Sequence, residues 1–476
     1  MNKTKDLFKN IGFLTISQFG TKILSFFLVP LYTSILTTEE YGTYDLFNTT
    51  IGLLIPFLTL NIKESSLRFA VDKENDKTEI FTISIYYCFK ASALAVILIF
   101  INHIFEFSAI INDYKIFILI LFISNALNGV ICNFARGLDR LGDIAVSGVI
   151  CSAVIIFVNI ITLLPLKMGL VGYFLANIIG MCVQSMFLFI RFEGWRYFNL
   201  APENKVLKND MLTYSIPMIA NCTAWWINSV SDRYIVIWFC GIAANGIYSV
   251  ANKIPSILDV FQNIFCQAWT LSVVKDFDPD DKNGFMSRIF SMYNFAMTVM
   301  CSFFIIVSRI LAKILYANDF YMAWKYVPFL FIAVMFGALA GYIGGIFTAM
   351  KASKIFAYST VTGAIVNIVL NIILVRWTGA LGAAIATGIS YWVIFGMRMK
   401  FLKRFVNLKI KEKRNNLIYT ILFIQSFLLL IYSEECVVLY ILQVICFIVV
   451  LFLFIPELRN LYDLFRSCII KISMKE

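Results

Sequence analysis

Long apolar segments follow one another along almost the whole chain, separated by short stretches of charged or turn-forming residues. A helix needs about 20 apolar residues to cross the hydrocarbon layer of a membrane. Only 14% of the residues are charged, whereas a soluble protein carries about 25%, so a water-soluble enzyme and a disordered chain are excluded. We predict fourteen membrane spans at residues 11–36, 43–67, 79–101, 114–134, 144–164, 169–190, 213–239, 246–273, 287–308, 326–349, 355–375, 380–398, 416–432 and 437–456.

The forty lysines and arginines are distributed very unevenly between the two sides of this arrangement. If the N-terminus is cytoplasmic, the two tails and the even-numbered connections hold 29 of them, and the odd-numbered connections hold five. Cytoplasmic loops of membrane proteins carry such an excess, and removing one span would destroy the alternation. The pattern therefore predicts a multi-pass protein with both termini in the cytoplasm. It also explains the net charge of +11 without nucleic-acid binding.

Two registers of self-similarity indicate an internal repeat. The first register has an offset of 204 residues and matches Gly42, Tyr44 and Asn48 with Gly246, Tyr248 and Asn252. The second register, near an offset of 212 residues, relates residues 145–161 to residues 357–373.

The repeat predicts the architecture. We expect an all-α polytopic membrane protein with 14 transmembrane helices, in which residues 1–200 form an N-lobe of spans 1–6 and residues 201–405 a C-lobe of spans 7–12. Residues 406–476 add spans 13 and 14 and a cytoplasmic tail. Six is an even number, so the two six-helix lobes are a parallel repeat. This arrangement is typical of alternating-access transporters with a site between the lobes.

Residues that catalysis or metal binding requires are scarce. The eleven cysteines include no CxxC pair and lie mostly in apolar segments, which supports neither a disulfide framework nor a zinc site. His103 is the only histidine, too few for a metal cluster or a Ser-His-Asp site. We therefore expect no enzyme, no metal site and no cofactor. The first apolar segment is too long for a signal peptide, so we expect it to be retained as a membrane helix.

Several charged residues fall inside predicted spans, where a charge costs about 2.5–3.5 kcal/mol and usually faces a partner or a cavity. The excess of cations predicts a site for an anionic ligand, since one phosphate satisfies several of them. A structural ion pair is the alternative for Lys22 and Lys253, and Lys63 is expected at the inner interface. The deep cations are Lys22, Lys90, Arg233 and Lys253, and the deep anions are Asp232 and Asp259.

Four prolines fall in spans 1, 2, 7 and 8. Each proline removes a backbone donor and favours a kink in a helix. Such kinks serve either as hinges for opening one lobe or as static features of the packing. The residues are Pro30, Pro56, Pro217 and Pro255.

Three groups of residues resemble the polysaccharide flippases, the Wzx-type O-antigen or capsule repeat-unit transporters of the MOP exporter superfamily. The first group opens the chain and consists of Ser17–Gly20, Pro30–Tyr32 and Leu36–Tyr44. The second precedes span 10 and consists of Leu315–Phe320 and Ala323–Pro328. The third lies in spans 11 and 12 and consists of Asn367–Asn371 and Gly379–Thr387. The resemblance covers spans 1–12 and implies a MATE-like arrangement of the two lobes.

The resemblance implies that the chain flips an oligosaccharide repeat unit linked to undecaprenyl diphosphate across the bacterial cytoplasmic (inner) membrane. A proton or sodium gradient is expected to drive it, and lipopolysaccharide or capsule synthesis is the expected process. Family members keep cations in helices 1, 2 and 8 for the diphosphate, and Lys22 and Lys253 match helices 1 and 8. Span 2 has no deep cation, so Lys90 or Arg233 is the expected substitute. Asp232 and Asp259 are the candidates for coupling to the ion.

The flippase interpretation also predicts aromatic residues along the path of the glycan, namely Trp225, Trp226 and Trp269. Other functions remain open at this point. A cation-coupled multidrug antiporter of the same superfamily would need a site dominated by acidic residues. A membrane glycan polymerase or ligase would need a long outer loop with arginine and histidine. A flippase for a peptidoglycan precursor would share the fold. Besides the lipid-linked oligosaccharide, the expected partners are membrane lipids and other polysaccharide-assembly proteins.

Overall fold

A computed structural model describes residues 26–72, 74–199, 204–275, 277–350, 352–432 and 436–459, and this part of the chain contains helices and no strands. It divides into two compact units. Unit 1 comprises residues 1–249 with 317–320, and unit 2 comprises residues 250–316 with 321–476. In this division, the seventh predicted span lies in unit 1. The predicted lobes group segments that are equivalent in the repeat, which is a different criterion from compactness, so the lobe boundaries stay a prediction.

Unit 1 consists of a series of helices joined by short turns. Nine of its helices are described in full, together with a 3₁₀ turn at Gly194–Tyr197. They are α1 (Val29–Ile35), α2 (Thr38–Leu58), α3 (Ile62–Val71), α4 (Lys77–Phe105), α5 (Ala109–Asp113), α6 (Lys115–Gly137), α7 (Leu141–Leu163), α8 (Gly169–Arg191) and α9 (Lys205–Cys240). A tenth, α10 (Ile242–Ala251), begins in unit 1 and ends in unit 2.

Short polar residues determine where several of these helices begin. Thr37 and Glu40 form a capping box at α2, in which each side chain accepts the other residue's backbone N–H. The Asp76 side chain accepts the first-turn N–H of Thr78 at α4, and the Asn204 side chain does the same at α9. The rest of each helix is apolar enough to be stable in a membrane, where the backbone must satisfy its own hydrogen bonds.

Apolar packing among α3, α4, α6 and α8 forms the core of unit 1. Phe81, Phe134 and Phe192 are almost fully buried there, with ring centroids 4.8–5.8 Å apart. Gly137 permits α6 to approach α3, because a Cβ at Gly137 would lie 2.5 Å from that of Ala70. This core joins the ends of the helices that the cation distribution assigns to the cytoplasmic side.

Unit 2 is built around one almost completely enclosed helix. Its helices are α11 (Ser256–Lys275), α12 (Phe285–Leu315), α13 (Val327–Ala349), α14 (Ser353–Thr378), α15 (Ala380–Leu402), α16 (Glu412–Ile431) and α17 (Val437–Leu453). In α13, 89% of an apolar stretch of 18 residues is buried inside the protein. Its glycines admit neighbouring side chains, since a Cβ at Gly345 would lie 2.8 Å from the Trp269 ring.

Polar contacts attach the last two helices to α12. The Gln425 and Gln443 side-chain amides each donate to the other residue's backbone carbonyl, at 3.3 and 2.8 Å, and the Ser302 hydroxyl donates to the Gln425 side-chain oxygen at 2.7 Å. We call these three residues the amide junction. Arg309 is 1% exposed, and its guanidinium donates to the carbonyls of Leu429 and Tyr432 at the end of α16. It thereby satisfies carbonyls that a helix end leaves without an internal partner.

The helices follow the predicted spans, but length and apolarity do not establish their number. Among the described residues, ten helices are long and apolar enough to cross a membrane, or eleven if α2 and α3 form one bent span. The seventh predicted span corresponds to α9, which has 36 residues but is not among these ten. The fourteenth corresponds to α17, which has only 17 residues. Most of the first span lies outside the described residues, so the count of fourteen stays a prediction.

Spans 2 and 8 are interrupted rather than continuous. Between α2 and α3 the axis bends by 61°, where Leu60 and Asn61 have positive φ values of 52° and 53°. Pro56 lies inside α2, before this bend, and Pro217 lies inside the uninterrupted α9. Pro255 lies in the turn between α10 and α11, and Pro30 is in the first turn of α1. Two of the four predicted proline kinks therefore coincide with a helix boundary.

Candidate functional site

Helices α2 and α10 cross with their backbones in contact, at a glycine on each helix. A Cβ at Gly42 would overlap the carbonyl oxygen of Ile242, and a Cβ at Gly246 would overlap that of Thr38. Only glycine permits so close an approach, because any other residue would place its Cβ on the opposing backbone. The two glycines are equivalent positions in the 204-residue register, and both lie in unit 1.

Asp45 lies one turn beyond Gly42 and is surrounded by donors from α9 and α10. The Arg233 guanidinium donates to one carboxylate oxygen at 2.5 Å. The Ser249 hydroxyl donates to the other oxygen at 2.6 Å, and the Asn245 amide lies 3.3 Å from it. The ion pair is largely enclosed, with side-chain exposures of 20% for Arg233 and 11% for Asp45. A carboxylate with three donors links α2 to both helices.

A second carboxylate lies beside this pair and has different partners. Asp232 is 8% exposed and accepts a hydrogen bond from the Tyr248 hydroxyl at 2.5 Å. Its other oxygen accepts the backbone N–H of Arg233 at 2.9 Å. Both donors are neutral groups. The neighbours Asp232 and Arg233 thus point to separate partners, as the 100° spacing of adjacent helical residues requires.

Further contacts extend the attachment of α2 to α9. Thr50 and Tyr234 share a hydrogen bond of 2.6 Å between their hydroxyls. The Trp226 indole N–H donates to the Thr49 carbonyl at 2.9 Å, and its ring packs on Tyr234. Trp226 is therefore held by protein contacts in this structure. We call the arrangement of Gly42, Asp45, Arg233, Gly246 and Ser249 the polar crossing.

The 204-residue repeat contains a signal for the polar crossing. Asp45 and Ser249 are also related by the 204-residue offset, as are Gly42 and Gly246. Residues that are equivalent in the repeat therefore touch each other within unit 1. Asp45, Asn245 and Ser249 were not predicted as site residues, because one acid near a span end and neutral polar residues do not stand out among apolar segments.

Two lysines accompany the interrupted spans. Lys253 is half-buried in the turn between α10 and α11, where its backbone carbonyl accepts the Ser256 hydroxyl at 2.7 Å. Lys63 is half-buried at the start of α3, just after the 61° bend. Its side-chain stem passes 3.6 Å from the position of a Cβ at Gly129 of α6. Lys63 has no carboxylate partner within 4.0 Å among the described residues.

The remaining predicted site residues are spread over the molecule. Lys90 is exposed midway along α4, with its ammonium 4.3 Å from the Tyr86 ring centroid and 5.2 Å from that of Tyr87. Asp259 is half-buried in the first turn of α11. Lys22 lies outside the described residues. Trp269 is 3% exposed and donates to the Tyr342 carbonyl at 2.9 Å, so it belongs to the packing of unit 2.

Of the predicted site residues, Arg233 belongs to the polar crossing of unit 1 and its sequence neighbour Asp232 lies beside it. Lys90 lies elsewhere in that unit, on an exposed face of α4. Lys253 and Asp259 lie in unit 2, one on each side of Pro255. Roles for these residues in binding or in ion coupling stay predictions.

Solved structures with the same fold are membrane transporters. The chain is similar to the lipid II flippase MurJ in an inward closed conformation, with a TM-score of 0.69 and 16% identity over 94% of this chain and 99% of that chain. It is also similar to a multidrug resistance MATE family transporter of the MOP superfamily. The inward-facing conformation gives a TM-score of 0.59 and 15% identity over 82% of this chain and 95% of that chain. The outward-facing conformation gives a TM-score of 0.58 and 14% identity over 83% of this chain and 96% of that chain.

The sequence comparisons identify the family. No curated protein matches the chain. A family model described as "Polysaccharide biosynthesis protein" matches residues 7–270, which is more than half of the 476 residues. The fold is that of flippases and transporters rather than of enzymes, and the apolar helices make the protein a multi-pass membrane protein. The chain therefore belongs to the polysaccharide biosynthesis protein family and has the fold of the MOP superfamily.

Proposed function

We propose that this protein flips an oligosaccharide repeat unit of the O-antigen or capsule type, linked to undecaprenyl diphosphate, from the cytoplasmic to the outer leaflet of the bacterial inner membrane. Two findings support the proposal at the level of the class. The family is one of polysaccharide biosynthesis, and the fold is shared with a lipid II flippase. A flippase is the kind of membrane protein that satisfies both findings.

Lysines at interrupted spans are the observation that favours an anionic lipid as the substrate. Unwound backbone at membrane depth is tolerated where it is enclosed by protein or faces a water-filled cavity, and transporters commonly bind their substrates there. Lys253 lies in one interruption and Lys63 directly follows the other. A phosphate group forms charge-assisted hydrogen bonds with lysine ammonium groups. We therefore assign each of Lys63, Lys253 and Lys22 as a candidate contact of the diphosphate, and Lys63 is then the cation that span 2 supplies.

Arg233 receives a different role in this proposal. Its guanidinium is already neutralised by Asp45, and a charge pair of this kind is costly to separate without solvent or another partner. We assign the polar crossing to the end of the transport path that the cation distribution places outside. Opening there would separate α2 from α9 and α10, and closing would restore the ion pair. Lys90 remains a candidate contact for the substrate.

Ion coupling is assigned to Asp232 and Asp259, with a proton or sodium gradient as the source of energy. Asp232 is the stronger candidate because its two donors, the Tyr248 hydroxyl and a backbone amide, are neutral. A proton or sodium ion bound to this carboxylate would change the net charge beside the polar crossing. Asp232→Asn is expected to transport without responding to an imposed ion gradient.

Translocation in purified proteoliposomes tests the proposal. A fluorescent oligosaccharide on a polyprenyl diphosphate is added, and its appearance in the opposite leaflet is measured for the wild type, Lys253→Ala and Lys63→Ala. Each substitution is expected to slow transport about tenfold, the effect of losing one charge-assisted contact to the diphosphate. Lys282→Ala, which changes an exposed loop lysine, is the matched control and should transport normally.

Two outcomes would contradict the proposal. One is normal transport by both Lys253→Ala and Lys63→Ala, which would remove the diphosphate site. The other is transport of a cationic dye with no transport of the lipid-linked oligosaccharide, which would favour the antiporter alternative. A substrate in which the diphosphate is replaced by a neutral linker completes the assay, since the proposal requires that it is not flipped.

A further inference from the structure

A cavity in unit 2 has no role in the proposed function. It measures about 500 Å³ and lies among α12, the last three turns of α15 and the start of α16. Its inner wall is formed by buried apolar and aromatic side chains, whereas its rim is exposed and polar. The inner wall includes Phe290, Phe395, Met399 and Tyr419, and the rim includes Trp392, Lys400, Lys403, Glu412 and Asn416.

Some of the residues that line the cavity form a stripe at the end of α15. Trp392, Gly396 and Lys400 of α15 and Lys403 just after it follow each other at spacings of three or four residues, which places them on one face of a helix. The stripe runs from an exposed tryptophan to two lysines over 11 residues, or about 16 Å along the helix axis. Tryptophan and lysine in this order are typical of an interface between hydrocarbon and headgroups. The cation distribution assigns the lysine end to the cytoplasmic side.

The surrounding connection is strongly basic, but two of its three arginines are already engaged by the protein. Residues 398–414 contain eight lysines and arginines and one acid. The Arg398 guanidinium donates to the Ala340 carbonyl at 2.7 Å and to two hydroxyls on α14. Arg414 donates to both oxygens of Glu457 at 2.7 and 2.9 Å. The guanidinium groups of these two arginines therefore hold neighbouring segments of the protein together.

The lysines at the rim differ from these arginines. Lys403 pairs with Glu412, but both side chains are about half exposed, so the pair is weak and easily exchanged. Lys400 is exposed, and no carboxylate lies within 4.0 Å of it among the described residues. Two ammonium groups against one carboxylate leave a positive rim above an apolar interior. Phosphate oxygens can replace the Glu412 carboxylate at Lys403 and bind Lys400 at the same time.

We propose that this cavity binds an anionic phospholipid of the phosphatidylglycerol class from the adjacent leaflet. The phosphate lies between Lys400 and Lys403, and the glycerol headgroup contacts the Asn416 amide. An acyl chain passes over Gly396 and Trp392, where the helix leaves room. A Cβ added at Gly396 would meet no atom within 4 Å, so this glycine opens the wall of the cavity. The lipid would fasten the start of α16 to α15.

Lipid binding by the purified full-length protein in detergent tests the proposal, with no oligosaccharide present. Dioleoyl phosphatidylglycerol is titrated while bound lipid is counted by native mass spectrometry and the unfolding temperature is followed. We expect phosphatidylglycerol to bind and to raise the unfolding temperature, and dioleoyl phosphatidylcholine to do neither. Lys400→Ala should weaken binding about fivefold, in line with one lysine at an anionic surface, and Gly396→Phe should abolish it by filling the cavity.

Matched variants separate the cavity from the basic surface in general. Lys413→Ala removes an exposed cation of the same connection that does not line the cavity, and it should bind phosphatidylglycerol like the wild type. If Gly396→Phe fails to fold, Gly396→Leu and Lys400→Ala decide the question. Equal weakening by Lys413→Ala, or equal binding of phosphatidylcholine, would overturn the proposal. So would full competition by soluble glycerol phosphate, which would indicate a phosphate site without a lipid.

Discussion

The polar crossing of unit 1 and the amide junction of unit 2 both place polar side chains inside predicted spans, but with different chemistry. At the polar crossing, two glycine backbones connect the repeat-equivalent helices α2 and α10, and an ion pair connects α2 to α9. At the amide junction, neutral amides donate to backbone carbonyls of α16 and α17. Charged groups can be hydrated when they separate, whereas an amide in hydrocarbon has no replacement partner. The first contact is suited to opening and closing, and the second to permanent attachment.

The largest effect is expected from filling the glycine contact. Gly246→Ala would place a methyl group on the Thr38 carbonyl oxygen, and a backbone atom cannot move aside as a flexible side chain can. Overpacking of this kind costs up to about 3 kcal/mol, so we expect transport to fall about a hundredfold because α2 and α10 no longer close. The proteoliposome assay measures the change.

Gly52→Ala is the control for this prediction, because its Cβ would meet no atom within 4 Å on the same helix α2. Gly52→Ala should transport normally. If both alanine variants behave alike, the close approach at Gly246 has no part in transport.

The next largest effect concerns the ion pair. Asp45→Ala leaves the Arg233 guanidinium without its carboxylate in a largely enclosed position, and Arg233→Ala does the reverse. The double variant removes both charges. In a double-mutant cycle on the free energy of unfolding, we expect a coupling energy of about 1–2 kcal/mol, with the double variant more stable than the sum of the single effects implies. Strictly additive effects would show that the pair does not stabilise this conformation.

A smaller effect, on stability alone, is expected at the amide junction. Gln425→Leu removes the donor to the Gln443 carbonyl and the acceptor of the Ser302 hydroxyl, at a cost of about 1 kcal/mol for a hydrogen bond between membrane helices. The unfolding temperature should drop while transport per folded molecule stays within about twofold of the wild type. If Gln425→Leu lowered transport more than the substitutions at the polar crossing do, the proposed difference between the two contacts would be wrong.

The smallest effect is expected for an ion pair exposed to solvent. Glu412→Gln removes the partner of Lys403, and both side chains are about half exposed. Such pairs contribute about 0–1 kcal/mol, so the unfolding temperature in phosphatidylcholine should hardly change. An effect as large as that of Asp45→Ala would mean that burial does not distinguish the two ion pairs.

The continuous apolar spans were the most predictable part of the fold. The predicted boundaries of spans 3 to 6 lie within four residues of α4, α6, α7 and α8. The prolines predicted kinks in spans 2 and 8, but the full breaks of these helices were not predicted from hydropathy, and the break in span 2 depends on the positive φ of Leu60 and Asn61. The seventh span also proved longer than predicted, since α9 begins at Lys205 with an asparagine cap.

The candidate site was only partly predictable. The sequence identified Arg233 and Asp232 as charges within a span, and the repeat related Gly42 to Gly246. Neither pattern indicated that the equivalent glycines touch, or that the partner of Arg233 is Asp45, which is 188 residues away along the chain. Residues so distant in sequence become partners because their two helices pack against each other, and the amino-acid composition does not indicate which helices do so.

The sequence by itself determined that the chain is a multi-pass membrane protein, because the transfer free energy of each span is a sum over its own residues. It also indicated the orientation, the parallel repeat and the resemblance to flippases. Only the tertiary structure decided which charges are neutralised. Arg233, Arg398 and Arg414 are engaged by the protein, whereas Lys400 has no such acid within reach among the described residues. Electrostatic compensation depends on distances between helices, and packing sets those distances.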